Sequence, residues 1–170
     1  MNHLKLGIVG TGKVAQSNYL PYLAQQPGLA LAYYNRSRDK AEACAGRFGG
    51  QVFDTPEALA GWQPDAVMIL TREMDRYDAG MALLESSHPP RRIFFEKPLV
   101  ARNGQEKVSE QDFLDGRHML QVAQRKGCQT AMVFNYRFYE HTLLAKRIVA
   151  ERDFGRALTI AGLVHYACWS

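Results

Sequence analysis

The sequence is poor in cysteine, and this scarcity excludes two classes of protein. Three cysteines, Cys44, Cys128 and Cys168, occur among 170 residues, an odd number with no CxxC spacing. Such a set argues against a disulfide framework and against a zinc site. We therefore expect reduced thiols, no bound metal and a cytoplasmic location.

Long apolar runs and clusters of like charge are also missing. The apolar stretch at residues 4–9 contains Lys5, and no segment approaches the roughly 20 residues needed to cross a bilayer. The net charge of +4 is mild, and the basic residues are scattered. We expect neither a membrane nor a nucleic-acid partner. What is present is 46% hydrophobic residues, enough for one buried core.

Short apolar runs alternate with longer amphipathic segments, a pattern typical of βαβ units in a parallel sheet. Strands are predicted over residues 4–9, 29–34, 51–53, 66–70, 93–95 and 130–134. Helices are predicted over residues 14–24, 38–48, 56–61, 76–85, 113–126 and 142–150. Pro21 should kink or shorten the first helix, and the polar segment 102–111 is expected to be a surface loop. The predicted fold class is α/β with a doubly wound parallel sheet.

The first strand leads directly into Gly10-x-Gly12-x-x-Ala15 and then into a helical pattern. Gly10 permits a tight turn, Gly12 lets the backbone approach a pyrophosphate, and Ala15 lets the helix pack close to the strand. The amides at a helix N-terminus attract phosphate charge. The residues predicted to bind a dinucleotide here are Gly10, Thr11, Gly12, Lys13 and Val14.

The second strand is followed by Asn35, Arg36 and Ser37. An acidic residue at this position would accept hydrogen bonds from the ribose and favour NAD. The carboxylate is absent, whereas an amide, a guanidinium and a hydroxyl suit a 2′-phosphate, with Arg36 contributing most. We therefore predict NADP as the cofactor, with NAD as the alternative. In the competing interpretation, Arg36 and Arg38 are solvated residues at a helix start.

Two further polar clusters follow predicted strands, at the edge where parallel sheets bind ligands. Lys97 directly follows Phe94-Phe95-Glu96. It could polarise a substrate hydroxyl or transfer its proton. Glu96 could contact the ribose or hold Lys97 in place. The alternative is an ordinary ion pair at a strand end. Asn135 and Arg137 follow the sixth strand, where Arg137 could instead stack on an aromatic ring.

Together, residues 7–15, Glu-Lys-Pro at 96–98 and Asn-Tyr-Arg-Phe at 135–138 resemble the Gfo/Idh/MocA oxidoreductases, which include glucose–fructose oxidoreductase and inositol dehydrogenase. The resemblance implies an N-terminal Rossmann domain that binds NAD or NADP. It also implies a C-terminal α+β domain for substrate and oligomerisation, with Lys97 as the catalytic residue. It adds to the cofactor-binding set Leu70, Thr71, Glu96, Lys97, Asn135 and Arg137. The proline and histidine that many members carry after the threonine at Thr71 are absent here.

Residues 157–169 form a long extended run for which no earlier strand is free to pair. We expect a Rossmann domain at residues 1–152 and, at 153–170, the first strand of an incomplete α+β domain, unless the run pairs with a second copy. His165 is expected to lie on a sheet face rather than act as a base.

The predicted activity is hydride transfer between the nicotinamide and a hydroxyl or carbonyl carbon of a sugar- or polyol-like substrate. The full-length protein is expected to be a homo-oligomer, and this chain alone to be inactive. The alternative is a non-catalytic NADP-binding redox sensor or regulatory module.

Overall fold

The computed structural model describes residues 4–156 and residue 159. The strands are β1 Leu4–Val9, β2 Leu29–Tyr34, β3 Gln51–Val52, β4 Ala66–Ile69, β5 Arg92–Phe95 and β6 Gln129–Met132. The α-helices are α1 Leu20–Leu23, α2 Arg38–Phe48, α3 Pro56–Gly61, α4 Arg76–Glu85, α5 Glu110–Arg125 and α6 Glu140–Glu151. A π-helical turn, Ala15–Tyr19, precedes α1, and a 3-10 helix, Asn135–Phe138, precedes α6.

The six strands form one parallel sheet in the order β3-β2-β1-β4-β5-β6. The chain moves outward from β1 to β3 and then returns to β4, so the strand order reverses between β1 and β4. Val9 at the end of β1 pairs with both Tyr34 and Ile69, and Ile69 pairs with Phe95. The carboxyl ends of four strands are therefore level, and the predicted doubly wound α/β fold is confirmed.

The core consists of two apolar clusters, because strands covered on both faces bury alternate residues on opposite sides. One cluster contains Val9 of β1 and the apolar sides of α3, α4 and α5. The other contains Ile8, the next residue back on β1, with Leu20 of α1 and Cys44 of α2. Each large side chain buried in this way contributes about 1.5–3 kcal/mol. The helices thus hold the sheet rigidly from both faces.

Two element boundaries show how the local sequence competes with the overall pattern. The helix predicted over 14–24 does not stop early at Pro21: a π-helical turn, Ala15–Tyr19, runs into α1, which has Pro21 in its first turn and ends at Leu23. Helix α5 begins at Glu110, so the prediction of a loop through residue 111 and a helix start at 113 is wrong. The reason is a capping box: the Ser109 amide N–H donates to Asp112 Oδ2 at 2.8 Å.

The described chain forms two compact units that divide between Val133 and Phe134. The first unit holds the sheet, and the second holds the 3-10 helix and α6. The strand predicted at 157–169, with His165, lies outside the described residues apart from residue 159, and the α+β domain predicted from residue 153 stays a prediction. Cys44 and Cys128 are buried and form no disulfide, whereas Cys168 is outside the described part. None of the described helices is both long enough and apolar enough to cross a membrane.

Candidate functional site

In the turn after β1, Gly10 is closely surrounded by other protein atoms, whereas Gly12 faces open space. Gly10 has φ +97°, and a Cβ there would lie 2.7 Å from the Thr71 backbone nitrogen, so only glycine is accommodated. Its N–H donates to the Tyr34 carbonyl at 2.8 Å, which ties the turn to β2. At Gly12, a Cβ would meet nothing within 4 Å. The protein itself therefore leaves free the space above Gly12, where the sequence predicts a pyrophosphate.

Two threonine hydroxyls beside this turn are buried and have no hydrogen-bond partner among the described residues. Thr11 is fully buried, its backbone N–H donates to Asn35 Oδ1 at 3.1 Å, and its carbonyl accepts from Gln16 Nε2 at 2.9 Å. Within the part of the chain that the structure describes, its Oγ1 atom, like Oγ1 of Thr71, makes no hydrogen bond. A buried polar group without a partner costs about 1–3 kcal/mol. The free space above Gly12, in a turn where only glycine fits at Gly10, is what a bound dinucleotide needs, and the residues present therefore fit one.

The end of β2 is held against the turn by Asn35. The Asn35 amide accepts from Thr11, and its Nδ2 atom donates to the Ser37 carbonyl at 3.0 Å. The amide is thus used within the protein, whereas the sequence analysis offered it to a 2′-phosphate. The Ser37 side chain makes no capping bond, although Ser37 precedes α2. Arg36 is 84% exposed and contacts only Asp75 among the described residues, with 3.3 Å between Nη1 and Oδ1.

The Glu96 carboxylate holds Lys97 by its main chain. Glu96 Oε2 accepts the Lys97 backbone N–H at 2.9 Å, and Oε1 accepts the Tyr19 hydroxyl at 2.7 Å. Tyr19 is the last residue of the π-helical turn, and burial together with the Glu96 hydrogen bond raises its pKa above the usual value. The ring of Tyr19 also meets Phe94 edge-on, with 6.2 Å between centroids. Both carboxylate oxygens are therefore engaged in positioning the segment that carries Lys97.

Arg76 is a site residue that the sequence analysis did not identify. Its side chain is buried, with 2% exposure, and the guanidinium donates to the carbonyls of Thr71 and Pro98. Burial lowers the pKa of Arg76, and the nearby charges of Glu96 and Glu73 oppose that effect. Arg76 therefore links the loop after β4 to the segment after Lys97. From the sequence, only the position of Arg76 at the start of a helix could be predicted. That position does not show whether the arginine is buried or exposed.

The remaining predicted residues fall into two groups. Lys13 and Val14 are exposed at the start of the helical segment after Gly12, and Leu70 is buried, with its N–H donating to the Val9 carbonyl at 2.8 Å. Asn135 and Arg137 belong to the second unit, where they lie in the 3-10 helix. The Arg137 guanidinium carbon is 5.9 Å from the Phe138 ring centroid, as the stacking alternative predicts.

The first unit therefore gathers most of the predicted site at the level carboxyl ends of β1, β2, β4 and β5. Backbone amides and open space come from the turn after β1, and Arg36 and Ser37 come from the end of β2. Thr71 follows β4, and Glu96 and Lys97 follow β5. Ligands of open α/β sheets bind in the crevice where the strand order reverses, and in this chain that position is the turn after β1.

Comparison with known proteins agrees with this geometry. The Gfo/Idh/MocA family, described as an oxidoreductase family with an NAD-binding Rossmann fold, matches residues 4–134. Glucose-6-phosphate 3-dehydrogenase of Bacillus subtilis (strain 168) is 22% identical over 162 residues, which are 95% of this chain and 42% of that protein. The chain thus spans less than half the length of this relative.

Two solved structures share the fold. A 3-ketoreductase from Actinomadura kijaniata in complex with NADP and TDP-benzene has a TM-score of 0.67 and 22% identity, covering 86% of this chain and 42% of its own. The WlbA dehydrogenase from Chromobacterium violaceum in complex with NADH and UDP-GlcNAcA has a TM-score of 0.73 and 19% identity, covering 92% and 42%. Since the family match extends over most of the sequence, this chain belongs to the Gfo/Idh/MocA oxidoreductases and contains their NAD-binding Rossmann fold.

Proposed function

We propose that this chain is the dinucleotide-binding part of an NAD(P)-dependent dehydrogenase or reductase, with NADP as its cofactor and NAD as the alternative. The observation that carries the proposal is the glycine turn after β1, in which Gly10 has no room for a Cβ and a Cβ at Gly12 would meet no protein atom within 4 Å. Backbone amides at the start of the helical segment that follows Gly12 hold the pyrophosphate there. Arg36 and Ser37 hold the 2′-phosphate, because the end of β2 supplies no carboxylate.

A bound nicotinamide supplies the hydride chemistry. The chain's own residues position the reacting groups and exchange a proton with the substrate oxygen. Lys97 is the proposed catalytic residue, since its Nζ exchanges a proton with the substrate oxygen whose carbon gains or loses hydride. Glu96 positions Lys97 through the backbone N–H at 2.9 Å. Asn135 and Arg137 are proposed as further cofactor contacts, a role that follows from the family resemblance.

The proposed substrate class is a sugar or polyol with a hydroxyl or carbonyl carbon. Its support is the name of the Bacillus subtilis relative, a glucose-6-phosphate dehydrogenase acting at position 3, and the nucleotide sugar in the WlbA structure. The substrate groups of the whole protein, its cytoplasmic location and its homo-oligomeric assembly are proposed on the same family basis.

Gly12→Ala tests the proposal without disturbing the fold. A methyl group at Gly12 meets no protein atom within 4 Å, so the variant should unfold at the wild-type temperature. The same methyl group fills the space proposed for the pyrophosphate, and we expect at least tenfold weaker NADPH binding, or about 1.4 kcal/mol. Fluorescence titration of the 170-residue chain with NADPH measures the dissociation constant.

Gly46→Ala is the matched control, because its added Cβ also meets nothing within 4 Å but lies in α2, away from the turn. Equal NADPH affinity of the Gly12 and Gly46 variants would refute the proposed function. The non-catalytic sensor is the second candidate, favoured by Arg72 standing where many family members have proline. In the full-length protein, a Lys97→Ala variant that binds NADPH but has lost turnover excludes the sensor.

A further inference from the structure

No carboxylate directly follows β2, but the segment after β4 brings the carboxylate of Asp75 to the end of β2. These strands flank β1, so the segments that follow them border the glycine turn from two sides. Arg36 follows β2 and Asp75 precedes α4, and their side chains meet with 3.3 Å between Nη1 and Oδ1. Both groups are open to solvent, with 84% and 46% of their side chains exposed.

The backbone on each side of this ion pair is fixed. Asn35 joins Thr11 of the turn to the Ser37 carbonyl and thereby holds the segment that carries Arg36. The Asp75 N–H donates to the Arg72 carbonyl at 3.1 Å, and the Asp75 carbonyl accepts from the N–H of Ala79 at 3.1 Å. The contact therefore joins two anchored segments at the rim of the proposed cofactor site.

Of the two arginines at this rim, Arg36 and Arg38, Arg36 forms fewer ion pairs. Arg38 contacts two carboxylates, those of Glu42 and Asp54. Arg36 uses one nitrogen for one carboxylate oxygen among the described residues. A guanidinium binds phosphate best through two parallel N–H bonds, and the bond to Asp75 occupies part of that surface. A 2′-phosphate and the Asp75 carboxylate therefore compete for one guanidinium.

We propose that Asp75 is a selectivity-determining residue: by holding the Arg36 guanidinium, it weakens binding of the 2′-phosphorylated nucleotide and leaves NADH binding unchanged. The inference rests on the proposed function, in which the glycine turn binds a dinucleotide. NADPH must displace Asp75 from Arg36 or share the guanidinium with it. NADH has no 2′-phosphate, and the ion pair persists when it binds.

The test measures dissociation constants for NADPH and NADH by fluorescence titration of this chain. Asp75→Asn should tighten NADPH binding about two- to fivefold, because an exposed ion pair is worth up to about 1 kcal/mol and 1.4 kcal/mol corresponds to tenfold. The NADH constant should stay within about twofold. Asp78→Asn is the control, since this carboxylate of α4 contacts Arg102 instead, and it should change neither constant.

A second background isolates the mechanism. With Arg36→Gln in place, Asp75→Asn should leave the NADPH constant within about twofold, because the guanidinium that Asp75 contacts is gone. Tightening of the same size in that background would overturn the inference, as would equal shifts for both nucleotides or no shift for either. Thermal unfolding of each variant identifies any loss of folded protein.

Failure of the inference is distinguishable from failure of the proposed function. If the wild-type chain and all variants bind neither nucleotide at millimolar concentration, the proposed function is refuted, and the inference fails with it. If the wild-type chain binds both nucleotides and Asp75→Asn leaves their ratio unchanged, the inference alone is refuted.

Discussion

Replacement of Arg76 by methionine tests whether the buried guanidinium holds the two loops of the site together. Arg76 is 2% exposed and donates to the Thr71 and Pro98 carbonyls. A hydrogen bond to a charged group is worth about 1.5–3 kcal/mol, so losing both costs roughly 3–6 kcal/mol. Part of this loss is offset, because Arg76→Met also removes a buried charge whose Nε has no partner. We expect a net destabilisation of about 2–3 kcal/mol.

Urea denaturation followed by circular dichroism measures this difference in the free energy of unfolding. Arg38→Met is the control, because the ion pairs of Arg38 are exposed and should contribute at most about 1 kcal/mol. Arg76→Lys keeps the charge but replaces the fork with a single ammonium, and it should fall between wild type and Arg76→Met. Wild-type stability of Arg76→Met would refute the argument that the two carbonyl bonds hold these loops.

Three further predictions concern single residues. Lys97→Ala should leave NADPH affinity of this chain within about twofold while abolishing turnover of the full-length protein, and a tenfold loss of affinity would place Lys97 in cofactor binding instead. Gly10→Ala should destabilise the chain by about 2 kcal/mol or more, because φ is +97° and the added Cβ would lie 2.7 Å from the Thr71 nitrogen; thermal unfolding measures this. The pKa of Asp112 lies below its usual value, chiefly because its carboxylate accepts the backbone N–H of Arg102. The hydrogen bond from the backbone N–H of Ser109 lowers this pKa further. Its stabilisation is therefore present above the unfolded-state pKa of 3.8 and is lost as the pH falls through the lower folded-state value. Asp112→Asn should flatten the acid limb of the stability curve, and an unchanged limb would contradict this.

The sheet was predictable because a parallel strand covered on both faces is a short, continuous apolar run. Residues 66–70 form such a run, and β4 occupies Ala66–Ile69. The glycine turn was equally predictable, since the spacing Gly10-x-Gly12-x-x-Ala15 directly follows the first strand. The start of α5 at Glu110 was missed although Ser109 and Asp112 have capping-box spacing, because residues 102–112 are polar or glycine apart from Val108.

The contacts that organise the site could not be predicted from local pattern. Tyr19 and Glu96 are 77 positions apart, and the side chain of one reaches the other only because β1 and β5 lie in the same sheet. Arg36 and Asp75 are 39 positions apart and meet for a similar reason. The residues that directly follow β2 include no carboxylate, whereas the fold brings the Asp75 carboxylate to Arg36 from beyond β4.

The way Glu96 holds its neighbour has an electrostatic consequence for the proposed reaction. The carboxylate accepts the peptide N–H of Lys97 and a tyrosine hydroxyl, and in the described part of the chain it forms no ion pair with the lysine's terminal ammonium. Among the residues described, no other carboxylate pairs with that ammonium either. The Lys97 side chain is therefore left unpaired by any carboxylate of the described residues, which suits its proposed role beside a substrate oxygen, while the main chain beneath it stays anchored.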